Sequence, residues 1–195
     1  MALTADQKDN FFKHHLPHRL CLLTTFRDRQ AWFAKRIGKK DKDLLRASKD
    51  SSLIMIRMFA EFLGLKEGRR KKNGGPKSGS PDDDVFLEML GCPRVSLASL
   101  PQSEQDVITA LTRRGNKELA HLTSSFADQL KFNTAEYIVE GIEIIARLLR
   151  EKVYDQAQDR KGRKYPFPDL ESEKTIDGNE YEIVGGRPCK WPDWQ

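Results

Sequence analysis

Cysteine is scarce in this 195-residue chain, and the three present, Cys21, Cys92 and Cys189, stand far apart with no C-x-x-C pair. That spacing argues against a disulfide framework or a zinc site, and reduced thiols are expected, as in a cytosolic protein. Long apolar runs are missing too. The best stretch, Leu53 to Leu65, is interrupted by Arg57 and Glu61, so no membrane-spanning helix is expected. The opening residues, Met1 to Asp6, lack a basic segment followed by an apolar run, so no signal peptide is read there. The chain has none of the glycine-rich phosphate loops, dinucleotide fingerprints, serine elbows or H-E-x-x-H pairs that mark common nucleotide-binding, hydrolase and zinc-protease sites. It has no internal repeat. A strong charge imbalance is also absent: 34 basic and 29 acidic residues give a net charge of +5. Such a surplus permits contact with nucleic acid without requiring it.

What remains is 38% hydrophobic and 32% charged residues, enough apolar material for one core under a heavily charged surface. The periodicity predicts a soluble, cytoplasmic, all-α helical bundle over 1–154, with a basic flexible loop at 66–81 and an irregular C-terminal tail over 155–195. Thr4 is the expected first N-cap, and Pro17 is expected to break or restart the first helix. Leu16, Leu20 and Leu23 fall on one helical face, widened by Phe26. A second helix should start near Asp43, with Leu44, Leu45, Met55, Ile56, Phe59, Phe62 and Leu63 as its apolar residues, and stop at Gly64. Residues 66–81 contain no large apolar side chain, so their ordering would be uncompensated. Their basic cluster, Arg69, Arg70, Lys71 and Lys72, could touch RNA phosphates, but a solvated loop is the simpler reading. Asp82, Asp83 and Asp84 read as the acidic start of a short helix closed by Gly91, and not as a metal site.

Pro101 should open a helix running through Val107, Ile108 and Leu111 toward His121, and Thr134 should cap a last core helix reaching Val153. The tail is rich in charge, Pro and Gly. It shows one hairpin signal around Asp177-Gly178, where Tyr181 and Ile183 alternate with glutamates, and a docking surface at Trp191 and Trp194. The tail is expected to contribute little to the helical core.

His14 and His18 have the spacing of helical metal ligands, but Pro17 lies between them and no carboxylate motif accompanies them, so a polar helix end is read instead. The segment from Leu111 to Leu122 is more informative. Arg114 and His121 are seven residues apart, which on a regular helix places them within about 20° of each other. Both border an apolar face, with Glu118 between them and Lys117 alongside. This combination suits metal-independent RNA cleavage. Neutral imidazole can take the ribose 2′-hydroxyl proton, and arginine can hold the added charge on phosphorus. Glu118 could orient His121 or raise its pKa. On geometry alone, the simpler reading is a surface Arg114–Glu118 pair and a histidine that merely borders the core.

The same residues resemble the R-x(4–6)-H motif of HEPN proteins, often written R-N-K-x-x-A-H. Here it reads Arg114, Asn116-Lys117 and Ala120-His121, followed by a loop and a final helix. The resemblance covers roughly residues 10 to 154 by helix order and 111 to 122 by motif. It implies a helical domain of the RNA-cutting toxin or antiphage type, catalysis by Arg114 and His121, no cofactor, and a dimer with the two motifs facing one another. Members commonly place a polar residue directly after the arginine, where this chain has Gly115. Asn116 would point away from His121 on a regular helix, and a bulge at Gly115 would bring it back. Two readings stand: a dimeric endoribonuclease whose partners are RNA and an antitoxin or other protein, and a non-catalytic helical adaptor that binds RNA or a partner protein. A related form of the second is an inactive HEPN-like domain that only dimerises.

Overall fold

The computed structural model describes residues 3–35, 39–65, 85–115 and 135–168, with side chains inside the helices excluded from 29 to 41. The fold is all-α, and the described residues contain no strand. Helix α1, Ala5–Asn10, begins with a capping box: Thr4 Oγ1 accepts from the Gln7 amide at 3.2 Å, and Gln7 Oε1 accepts from the Thr4 amide at 2.9 Å. The expected cap is therefore in place, and its exchange for alanine would cost about 1 kcal/mol.

At Pro17 the chain is not broken, and the α-helix restarts there, the second of the two outcomes expected. The helix widens into a π turn at Phe11–His15 and continues directly as α2, Leu16–Lys35. In that turn the Leu16 amide reaches back to Phe11 O, five residues earlier. Proline clashes with the carbonyl four residues before it and gives no amide hydrogen, and a wide turn just ahead of it accommodates both defects. Helix α3, Lys39–Leu63, starts one turn earlier than Asp43. It stops at Gly64, as expected, in the left-handed conformation at φ 87°, with Leu65 N–H bonded to Ala60 O at 2.8 Å and Gly64 N–H to Glu61 O at 3.1 Å. The short turn Leu87–Leu90 is 3₁₀ and closes in the same way at Gly91.

Helices α4, Gln102–Arg114, and α5, Ala135–Leu149, pack on α3 to complete one core. Leu20, Leu23, Leu53, Ile56, Leu63, Leu111, Ile142 and Ile145 are all fully buried there. Each such side chain stabilises the fold by about 1.5–3 kcal/mol relative to exposure. Two local contacts set how closely the helices approach. Ser52 Oγ donates to Leu23 O at 2.7 Å across the α2–α3 seam. Gly141 of α5 lies so near α4 that a Cβ there would stand 2.3 Å from Leu111 Cδ1. Among the described residues no helix is long and apolar enough to cross a membrane.

The chain beyond α5 departs from expectation. A second π turn, Arg150–Tyr154, leads into residues 155–168, and these pack on the core instead of leaving it. Ala157 and Tyr165 are buried. Tyr165 stacks on Phe12 with ring centroids 4.2 Å apart, while Tyr154 meets Phe12 edge-on at 5.3 Å and Phe167 at 5.0 Å. Arg150 lies over the Phe167 ring at 4.6 Å. Arg160 pairs with Asp6, and the Tyr165 hydroxyl donates to Asp9. A tight turn holds this segment together. Asp159 Oδ1 accepts from the Lys161 amide at 2.8 Å and the Arg163 amide at 2.9 Å, Gly162 takes φ 73°, and Gln158 bridges Lys164. The expectation that the tail adds little to the core therefore fails for 155–168. The hairpin expected around 177–183, Trp191 and Trp194 lie outside the described residues, as do the 66–81 segment, Asp82 to Asp84 and Thr134.

Candidate functional site

Helix α4 positions the one motif residue that the structure describes. Pro101 stands at its N-terminal boundary, as expected, and the Gln105 amide bonds to Pro101 O at 3.0 Å. Glu104, in the first turn, reaches Arg147 of α5 at 2.6 Å and ties the two helices at that end. Val107, Ile108, Leu111 and Thr112 then form the buried stripe. Arg113 points outward, and Arg114 is half-buried with its Nη1 atom shielded from solvent. Arg114 therefore lies at the edge of the apolar face, where the sequence pattern puts it. Glu118 and His121, proposed as its catalytic partners, lie outside the described residues. So do Asn116, Lys117, and the basic Arg69, Arg70, Lys71 and Lys72.

Gly115 follows Arg114, where a polar residue stands in the motif that the sequence resembles. Its backbone stays right-handed helical, at φ −55° and ψ −33°, and the residue is π-helical, so the helix widens at Gly115, the place of the expected bulge or kink. The reason for glycine is proximity to α3. A Cβ at this position would stand 3.1 Å from Leu53 O and 3.2 Å from Arg57 Cβ. A polar side chain after the arginine would have to displace the α3 backbone or Arg57. At this position, close packing leaves no room for a polar side chain.

That packing brings Arg57 to the site, a residue that the motif search missed. Arg57 is half-buried, and its Nε is enclosed with no hydrogen-bond partner among the described residues. Thr112 Oγ1, in a residue only 7% exposed, is in the same situation. Thr112 neighbours Gly115 across one turn of α4. The available signal was the charge itself: Arg57 interrupts an otherwise apolar stretch of α3, one residue after buried Ile56 and four after buried Leu53. The end of α4 thus combines two arginines from different helices with a buried hydroxyl, a donor-rich arrangement suited to an anion.

The histidine cluster offers less. His14 and His15 are exposed, and His15 Nε2 lies 3.3 Å from Asn10 Nδ2. No group of three potential metal-ligating side chains converges among the described residues. Comparison of the chain with family models, curated proteins and solved structures gave no match.

Proposed function

We propose that the protein is a metal-independent endoribonuclease of HEPN type. The observation that carries this reading is Arg114: it is half-buried at the edge of α4's apolar face, seven residues before the chain's one histidine outside the N-terminal cluster. In this scheme His121 removes the proton from a ribose 2′-hydroxyl, and the freed oxygen attacks the adjacent phosphorus. The bond from phosphorus to the 5′-oxygen breaks, and that oxygen takes up a proton. The products are a 2′,3′-cyclic phosphate and a 5′-hydroxyl end. Arg114 holds the charge that accumulates on the non-bridging oxygens through its planar pair of donors. Glu118 orients His121. Asn116, Lys117 and the basic residues Arg69 to Lys72 hold the RNA chain. The active form is a homodimer with the two motifs facing one another, and the setting is that of a toxin or antiphage effector restrained by a partner protein.

Purified protein incubated with mixed RNA tests the scheme. Wild type should cut, with or without chelator, and leave cyclic phosphate ends. His121→Ala should lower the rate by about 10²–10⁴-fold while keeping the helical signal. Arg114→Lys should also be poor, because lysine retains the charge but loses the paired donors. Asn116→Ala should be milder. Equal activity in wild type and His121→Ala would remove the histidine from the mechanism, and loss of activity in chelator would end the metal-free scheme. A folded wild type that cuts no RNA would favour the adaptor reading.

A further inference from the structure

Arg57 differs from the half-buried Arg27 and from the more exposed Arg147 in having an enclosed donor with no partner among the described residues. Arg27 pairs with Asp28 at 2.7 Å and with Glu143 at 3.1 Å, and Arg147 pairs with Glu104 at 2.6 Å. No carboxylate among the described residues pairs with Arg57, and its enclosed Nε has no acceptor there. A helix dipole does not account for it. Arg113 and Arg114 complement the negative end of α4, whereas Arg57 lies well inside α3. Its position is fixed by close packing, since its Cβ and Cδ lie 3.2 and 3.6 Å from where a Gly115 Cβ would be. Gly115 directly follows Arg114, so the backbone of Arg114 is one residue from the point where α4 meets Arg57. Thr112, 93% buried by its 7% exposure, adds a hydroxyl with no partner among the described residues one turn away. A guanidinium donor is best satisfied by an acceptor that carries negative charge, and a hydroxyl can donate to the same kind of acceptor.

We propose that Arg57 is a second phosphate-binding residue, which engages the RNA backbone beside Arg114 from the opposite helix. The inference rests on the ribonuclease reading for its ligand. A phosphodiester presents two non-bridging oxygens, one for each guanidinium. Arg114 is then the arm on the motif helix, and Arg57 is the arm fixed to the core.

The test measures binding without turnover. The probe is a short oligoribonucleotide methylated at every 2′-oxygen, which blocks the attacking group, and the readout is fluorescence anisotropy over a range of salt concentrations. Arg57→Met should weaken binding about tenfold, the loss expected for one charge-assisted contact. It should also reduce the slope of log affinity against log salt by about 0.7, the value for one phosphate contact on a single strand. Arg57→Lys should restore the slope and recover only part of the affinity. Arg46→Met removes the same charge from an exposed site on α3, where the side chain is 80% exposed, and should leave both quantities unchanged. Wild-type affinity and slope in a folded Arg57→Met protein would overturn the proposal. If that variant does not fold, wild-type affinity in Arg57→Lys would overturn it, and so would a wild type that binds no probe. Binding that depends on Arg57 in a protein that cuts nothing would support the phosphate site and remove only the cleavage step. Cleavage that depends on His121, with binding insensitive to Arg57, would remove only Arg57.

Discussion

The aromatic clasp between α1 and residues 155–168 and the seam at the end of α4 treat charged groups differently. At the clasp, Asp6, Asp9 and Asp159 meet Arg160, Tyr165 and Arg163, and the rings of Phe12, Tyr154, Tyr165 and Phe167 cover one another. At the seam, Arg57 Nε and Thr112 Oγ1 are enclosed with no partner among the described residues. The clasp pairs its charged groups and is built for stability, although its buried Tyr154 hydroxyl also has no partner among the described residues. A region left with donors to spare has capacity for a ligand, and that capacity costs stability until the ligand arrives.

The strongest way to test this contrast is to cut into the clasp. Phe12→Ala removes the ring that Tyr154 and Tyr165 pack on and should cost about 3–5 kcal/mol in urea unfolding. Truncation after Asp155 should have a comparable effect, because it removes Tyr165 and Phe167 together. An unchanged midpoint in either would reduce the clasp to a surface ornament. Gly141→Ala comes next. Its new methyl would meet Leu111 at 2.3 Å, so a loss of about 1–3 kcal/mol is expected, although alanine is the better helix former. A gain in melting temperature would show that Leu111 moves aside freely.

The chain's pattern revealed the elements whose signals are local. Thr4, Gly64 and Gly91 each act on backbone within one turn, and all three do what their residue type implies. The core faces of α2, α3 and α5 were legible for the same reason, since apolar spacing reports burial directly. Pro17 left a break and a restart both open, because its effect depends on the π turn before it. Tyr165 was invisible because it lies in a polar, glycine-bearing stretch, and only the folded chain shows that Phe12, far away in sequence, needs its ring. At the candidate site, Arg114's place on the helix edge followed from spacing, whereas Arg57 was not found. Its role depends on two helices crossing at Gly115, and no periodicity within one helix encodes that crossing.

Acidity and alkalinity should separate the two regions by a smaller, graded effect. The Tyr165 hydroxyl and then Lys13 hold Asp9 below the usual carboxylate range, and the Arg163 amide does so first for Asp159. Folded values below unfolded ones mean that this contribution is complete above about pH 4 and is lost as pH falls through the folded values. Burial raises Tyr154 and Tyr165, the latter with help from Asp9. Their contribution is complete below about pH 10 and is lost as pH rises toward the folded values. Hydrogen exchange should therefore show 155–168 loosening at both extremes before α3 does, and Asp9→Asn should blunt the acid limb. Simultaneous loosening of all segments would mean that the clasp has no titration of its own. The smallest stability effect is expected at the seam: Arg57→Met should shift unfolding by less than about 1 kcal/mol, because an apolar chain of similar length replaces an unpaired cation. A large loss there would identify Arg57 as a structural residue.

The clasp also imposes an order on synthesis. Asp9 and its partner Tyr165 are 156 positions apart, so α1 emerges from the ribosome long before the group that covers Phe12 exists. At roughly 5–20 residues per second, Phe12 waits many seconds with an apolar face bare. Closing so distant a contact is slow and comes late, which makes it a marker of completion. A chain released early, or cut before residue 165, carries an uncovered aromatic near its start that a finished molecule hides. Quality-control factors that bind exposed aromatic side chains would thus distinguish incomplete copies from complete ones at the first helix rather than at the break.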